Sequence, residues 1–491
     1  MTQVLGFLFH TLLAATPLAL LLGGLYFGVR LRFFPFLHPV RVVRDLFFPA
    51  RGENRNVDAP SSLRAAGMAM AGTIGVGNIA GVSLALLTGG AGAVFWMWVC
   101  AAAAMLLKYA EIVLAMDSRR PDGMGSYLGG TPYAMRASGM PALGSLFAVL
   151  CLLYTFLIGG VVQANAVSDC LRDAIGCPPL LAGALLLLLV LPVTLGGGQK
   201  IATLTAKLVP LMCGAYLLVT GAVIFTHAAV LPSVFARIMR EAFSPAAAGG
   251  GVASFLFSRA VRVGAARGLM SNEGGCGTAP MAHVTARETV PARQGLFGIL
   301  EVFTDTVLIC TLTALCVLCV FPTLPDGVGA MEMVRRSFAS VCGNGAGIVL
   351  AAILFSFAYA TILCEAYYAE VCLRYMFGGG RQIVFSLLFA ASLLFGAWGA
   401  PALVWGLCDI LLAVMTLLNL FFLVKKAGRV VTLTADGGYI SRRIRHKSEN
   451  SSENRSNRFS ATPWGSRNDT SSSEAKTRSG RHPAAIRQSL K

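Results

Sequence analysis

"GTIGVGNIAG", residues 72–81, sets four glycines and an asparagine inside an apolar run. Glycine weakens a helix by the backbone freedom it loses on folding, and a carboxamide among apolar groups is costly unless it is hydrogen-bonded. The segment therefore reads as unwound backbone in the middle of a helix. Whether that helix lies in a membrane decides the fold, because irregular backbone at membrane depth is tolerated only where it lines a cavity or is covered by protein.

The chain around it answers the question. Its 491 residues are 56% hydrophobic and 13% charged, with a mean hydropathy of +0.69, far too apolar for a soluble domain of this length. A membrane span takes roughly 20 apolar residues. About eleven runs meet that need, near residues 3–28, 62–88, 91–116, 143–168, 179–195, 203–226, 249–280, 294–322, 345–374, 382–398 and 401–424. The fold class expected is an all-α polytopic membrane protein. The opening "MTQVLGFLFH" lacks the basic start of a secretory signal and reads as a retained helix. The thirteen cysteines fall mostly inside apolar runs and read as reduced thiols. Cys316 and Cys319 form a CxxC with no second pair nearby, a poor metal site, and a Cys170 to Cys177 disulfide in a short external loop stays open.

Charge placement gives orientation. Residues 425–491 hold fifteen Lys and Arg against five Asp and Glu, a net +10 of the chain's +17. Rich in Ser, Asn and Arg, this tail is expected to be disordered and cytoplasmic, near anionic lipid, and nothing patterned points to nucleic acid. Arg30, Arg32, Arg41, Arg44, Arg51, Arg55 and Arg64 put the segment after the first helix on the cytoplasmic side. The N-terminus is then outside a cell (inner) membrane. Arg237 with Arg240 and Arg335 with Arg336 fall in longer external connections, where surface helices are expected.

With the first helix set aside, ten spans divide into five within 62–226 and five within 249–424. Each half opens with a glycine-broken helix, the second being "RGLMSNEGGCGTAP", residues 267–280. Five spans per half make the second half run the opposite way, the mark of inverted repeats whose discontinuous helices meet near the midplane. The domains expected are 1–60, an N-terminal helix and connection; 61–228 and 229–426, the two repeats; and 427–491, the tail. Unwound helices offer free amide N–H groups to an anion and free carbonyls to a cation, a pairing that suits a zwitterionic amino acid and sodium. The glycines admit two other readings. Gly75, Gly77 and Ala80 match GxGxxA, which needs a strand and a soluble βαβ unit; Gly77 and Gly81 have the GxxxG spacing of a helix-packing face. No HExxH, GxSxG elbow or P-loop is present, so neither an enzyme nor a cofactor is expected.

The runs "AGTIGVGNIAGVSLALLTGGAGAVFWMWV", "KYAE", "GGTPYAM", "QANAVSD", "KLVPLM", "ARGLMSNEGGCGTAPMAHVTAR", "QGLFGILEVFTDTVLICTLTAL" and "YYAEVCLRYMFG" resemble the alanine or glycine:cation symporters, sodium-coupled amino-acid carriers, over about residues 1–425. The resemblance implies the inverted five-helix repeats of the neurotransmitter:sodium symporters plus one extra N-terminal helix. It implies that the amides of Gly75, Val76 and Gly77 take the substrate carboxylate. The carbonyls of Ala71 and Ile74 would face one sodium ion, and the Thr73 carbonyl and Asn78 side chain another. Gln163, Ser271, Asn272 and Thr361 would stand near the substrate, and Glu273 would organise the second break or pair with Arg267. Asn165 is a second intramembrane carboxamide, and interhelical bonding is the plain alternative for it and Gln163. Glu365, one helical turn after Thr361 on the same face, stands where the family has a bulky aromatic, and Val76 often where it has threonine. A carboxylate there can hydrogen-bond a polar substrate or carry a proton. Asp305, Glu111 and Asp409 are further intramembrane acids, functional candidates by default, and Lys108 with Glu111 has the i,i+3 spacing of a pair. The function expected is sodium-driven import of a small neutral amino acid across the bilayer. The alternatives are a proton-coupled carrier of a larger polar amino acid such as glutamine, and a substrate sensor acting through the tail.

Overall fold

The structure, a computed structural model, describes residues 2–48, 61–122, 127–243, 259–325, 327–378, 382–399 and 402–441. Apolar length dictates its architecture. Six helical segments are long and apolar enough to cross a membrane: Gly92–Ser118, Pro141–Ile175, Gly197–Thr226, Pro291–Val320, Ala330–Phe377 and Val404–Lys425. Ser62–Thr73 and Val76–Gly89 qualify together as one span bent by 65°, and Ala15–Arg30, Pro179–Thr194 and Ile383–Trp398 are shorter apolar helices. Ten of the eleven expected runs thus have a helical counterpart. At 249–280 the described helix is only Arg259–Asn272, 14 residues carrying three arginines, and 249–258 lies outside the described residues. Among the described residues the sole sheet is the hairpin of Arg120–Pro121 with Tyr127–Leu128.

Arg237 with Arg240 and Arg335 with Arg336 lie on the short helices Leu231–Ala242 and Ala330–Cys342, as expected. The start of the tail differs from expectation. Ala427–Asp436 is a helix, docked where Thr434 Oγ1 meets Tyr109 Oη at 2.9 Å and Arg429 meets Asp117 at 2.6 Å. Val430 and Thr434 bury one face of it while Arg429 and Asp436 stay outward. Residues 442–491 lie outside the described residues.

Gly92–Ser118 is the interior helix, with nineteen buried positions. Gly197–Thr226 is peripheral: Leu211, Leu218 and Phe225 on one face are 71%, 76% and 83% exposed, a stripe that only lipid would cover in a membrane.

Two interruptions lie inside this bundle. Ser62–Thr73 is capped by Ser61, whose hydroxyl accepts from the Arg64 amide at 3.4 Å, and it ends at the extended pair Ile74 and Gly75 before the short turn Val76–Asn78. A Cβ on Gly75 would lie 2.7 Å from Thr361 Oγ1, so close approach, not backbone strain, requires glycine. Gly77 and Gly81 meet nothing within 4 Å, which removes the helix-packing reading. The second interruption follows Asn272: Glu273, Gly275 and Gly277 have φ of +49°, +86° and +86°. Its stranded backbone groups are served by distant side chains. Glu111 Oε2 accepts from the Gly277 amide at 3.0 Å, Thr131 Oγ1 donates to the Gly277 carbonyl at 2.7 Å, and Asn419 Nδ2 donates to the Gly275 carbonyl at 2.9 Å and to Glu111 Oε2 at 2.8 Å.

Asn419→Leu takes the donor from both Gly275 and Glu111 at once, and a buried polar group left unpaired costs about 1–3 kcal/mol. The melting temperature of the purified protein in detergent is expected to fall by about 2 °C or more. An unchanged value would contradict this role for Asn419.

Candidate functional site

Asn78 joins the two interruptions. Its Oδ1 accepts from the Gly75 amide at 2.9 Å, which holds the turn closed, and its Nδ2 donates to Asp305 Oδ1 at 2.7 Å and to Ser271 Oγ at 3.0 Å. Ser271 Oγ donates to Asp305 Oδ2 at 2.6 Å, as does Thr306 Oγ1 at 2.8 Å. Asn272 then donates from Nδ2 to Thr306 Oγ1 at 3.1 Å and accepts from the Gly274 amide at 2.8 Å. Asn78, Ser271, Asn272, Asp305 and Thr306 are each at most 2% exposed. Asp305 and Thr306 stand on the π-helical stretch Phe303–Cys310, whose widened turns free the Asp305 carbonyl to accept from Asn78 as well, at 3.4 Å.

The remaining expected site residues gather on the other side of Gly75. Thr361 Oγ1 lies 3.4 Å from the Ile74 carbonyl, and the Gln163 carboxamide lies within 4 Å of the position a Gly75 Cβ would take. Gln163 Oε1 is buried without a partner. Because Asn78 occupies the Gly75 amide, that amide does not stand free for a carboxylate as expected. Val76 and Gly77, the first two residues of their turn, have no acceptor within it. Ala71 and Thr73 are buried on the last turn of the first half-helix, and the Thr73 hydroxyl turns back to the Met70 carbonyl at 3.4 Å.

Glu365 is fully buried with neither carboxylate oxygen paired. Its Cβ and Cγ press on Gly159, where an added Cβ would come within 2.5 Å. Gly159 lies on a second π-helical stretch, Phe156–Val162, one turn before Gln163, just as Glu365 lies one turn from Thr361. The two helices therefore stack a Thr361 with Gln163 level beside a Glu365 with Gly159 level.

The structure settles three pairings that the sequence offered. Glu273 does not pair with Arg267: Tyr154 Oη and Thr278 Oγ1 donate to its two oxygens at 2.7 and 2.6 Å, while Arg267 reaches Met270 Sδ. Lys108 pairs with Glu301 at 3.0 Å, not with Glu111, which is occupied by Gly277 and Asn419. Cys170 and Cys177 are both free thiols. Glu301, which the sequence reading passed over, also accepts from His283 Nε2 at 3.1 Å, and Gln294 Nε2 donates to His283 Nδ1 at 2.8 Å. The signal was present as an acid inside the apolar run "GILEVF".

Two cavities flank the buried residues. One, of about 350 Å³, is lined by Val76, Ala80, Asn165 and Asp169 together with Gly347 and Leu354. The other, of about 460 Å³, is lined by Met68, Gly198 and Thr285 together with Tyr367, Glu370 and Arg374. Both touch the single helix Ala346–Phe377. Leu354 and Tyr367 are thirteen residues apart on it, about 20 Å of helix, and Thr361 and Glu365 lie sealed between them at 2% and 0% exposure.

A polytopic helical protein with a sealed polar core between two opposed cavities has the build of a membrane transporter. The chain matches the model of the sodium:alanine symporter family over residues 1–453 and belongs to that family. It is 35% identical over 428 residues to the sodium/alanine symporter AgcS of Methanococcus maripaludis, covering 85% of this chain and 93% of that protein. It is 32% identical over 399 residues to the amino-acid carrier protein AlsT of Bacillus subtilis, covering 81% and 83%. It is 33% identical over 411 residues to the "Probable sodium/glutamine symporter GlnT" of the same organism, covering 83% and 84%. Family membership makes the chain a cation-coupled amino-acid symporter of the membrane and not an enzyme.

Removing one partner of a buried ion pair costs about 3–5 kcal/mol, because the other charge is stranded. Lys108→Met should therefore sharply reduce the monodisperse fraction recovered on size-exclusion chromatography, and adding Glu301→Gln should restore part of it. No loss in the single variant would contradict the pairing.

Proposed function

We propose that this protein couples inward movement of sodium to import of a small neutral amino acid by alternating access. The observation that carries the reading is the Asn78 tie, which links the two interruptions and their partner Asp305 in one buried network. The substrate carboxylate would rest on the amides of Val76 and Gly77, with Gln163 and Thr361 beside it. One sodium ion would take the carbonyls of Ala71 and Ile74. A second would take the Thr73 carbonyl and the remaining lone pair of Asn78 Oδ1, with the Asp305 charge close by. Ser271 and Asn272 would carry the occupancy of this seat into the second interruption. The fold would be two inverted five-helix repeats plus the N-terminal helix, with the N-terminus outside the inner membrane and the tail in the cytoplasm. Each cavity would open in turn as the interrupted helices rock against the remaining spans.

The bare Glu365 carboxyl favours one refinement. A substrate whose α-carbon sits at the Thr361 and Gln163 level would point its side chain toward Glu365, where acceptors lie unpaired. That arrangement suits a side chain with a hydrogen-bond donor, such as serine or glutamine, because an unmet buried polar group is costly.

The test is uptake into proteoliposomes of glycine, alanine, serine, glutamine and lysine, with and without an inward sodium gradient, at two pH values. Sodium-driven uptake of neutral amino acids is expected. Asn78→Ala should raise the sodium concentration for half-maximal uptake about tenfold, the effect of losing roughly 1.4 kcal/mol. Glu365→Leu should remove the advantage of serine or glutamine over alanine while leaving alanine uptake sodium-driven. Uptake driven by a proton gradient alone would overturn the sodium reading, and an unchanged ranking in Glu365→Leu would overturn the refinement.

A further inference from the structure

A groove of about 360 Å³ lies between the first half-helix, Ser62–Thr73, and Gly197–Thr226. The transport reading makes no use of it. Two cations line it, Arg64 and Lys207, together with the Thr203 hydroxyl; the rest is apolar, including Leu63, Met70 and Val209. Neither Arg64 nor Lys207 pairs with a carboxylate among the described residues, and no acid lines the groove. We propose that it is a binding site for one anionic glycerophospholipid, with the phosphate between Arg64 and Lys207 and an acyl chain along the apolar floor.

Three observations select this occupant. First, the groove borders an exposed apolar face. Lys207, Leu211, Leu218 and Phe225 follow one another at spacings of four, seven and seven residues, so they share a face of the helix, and the last three are among the most exposed apolar residues of the protein. Second, both cations lie toward the starts of their helices. Arg64 is in the first turn of its helix, and Lys207 is about 15 Å from the start of a helix of about 45 Å, longer than the roughly 30 Å of hydrocarbon. A lysine so placed reaches the interface by extending its side chain. Third, the groove has a floor for a chain. Leu63, Met70, Ala206, Val209 and Pro210 supply its apolar wall, and at Gly67 the two helices approach until an added Cβ would just touch Ala206 Cα, at 3.7 Å. A free phosphate would use the cations and not the apolar wall, whereas a zwitterionic lipid would use the wall and bring a positive group toward the cations.

The position has a consequence. Ser62–Thr73 runs directly into Ile74 and Gly75, so a lipid held here braces the first interrupted helix against its neighbour.

Native mass spectrometry of the detergent-solubilised full-length protein tests the site independently of transport. Phosphatidylglycerol, phosphatidylcholine and inorganic phosphate are the probes. The wild type is expected to retain one phosphatidylglycerol, the Arg64→Gln, Lys207→Gln double variant to bind it about tenfold or more weakly, as losing two interfacial cations implies, and the charge-keeping Arg64→Lys, Lys207→Arg variant to retain it. Phosphate should not displace the lipid. Equal binding by the Gln variant, equal retention of phosphatidylcholine, or displacement by phosphate would each overturn the proposal. So would loss of the lipid in the charge-keeping variant.

Discussion

A helix can be opened inside a membrane only where the amides and carbonyls it strands are served by the protein or line a cavity. This chain opens two, and the rest of the structure answers that demand. At the second interruption the partners are Glu111, Asn419 and Thr131, drawn from three separate elements. At the first, Asn78 closes its own turn through Gly75 and spends its amide hydrogens on Asp305 and Ser271. The result is a polar core whose members hold one another in place and whose loss would be felt at both breaks.

The first interruption also lies between the two cavities, with Met68 lining one and Val76 the other. Helix Ala346–Phe377 borders one with Leu354 and the other with Tyr367, and its middle turn presents Thr361 to Gly75 and Glu365 to Gly159. The glycines allow the contact: Gly75 admits the threonine and Gly159 the glutamate stem. The buried set of Lys108, Glu301 and His283 lies on other elements and binds Gly92–Ser118 to Pro291–Val302. This ion-pair set thus uses different charged residues from those proposed to meet the substrate.

The sequence is most legible where chemistry and environment conflict. Glycines, Asn78, Ser271, Asn272 and Asp305 stand out because polar or flexible residues do not belong in an apolar span, and the structure brings them together. Partner choice is far less legible. Lys108 with Glu111 is a sound pair on one helix, yet Glu301 on a neighbouring helix takes the lysine, since helical spacing reports only local neighbours. Glu273 likewise turns from Arg267 to Tyr154 and Thr278, partners remote in sequence or across the break that no local spacing reports. The π-helical turns at Phe156–Val162 and Phe303–Cys310 leave no mark in the hydropathy pattern. The composition that made residues 427–441 read as disordered hid the apolar face that docks Ala427–Asp436.

The amino acid and its coupling ion are proposed to take neighbouring seats that Asn78 ties together. Equilibrium linkage tests it most directly: calorimetric titration of the purified protein with amino acid at several sodium concentrations, and with sodium at several amino-acid concentrations. Seats coupled through Asn78 require each ligand to strengthen the other by the same factor, and Asn78→Ala to reduce that factor toward one. An amino-acid affinity indifferent to sodium, or a coupling factor unchanged in Asn78→Ala, would contradict the account.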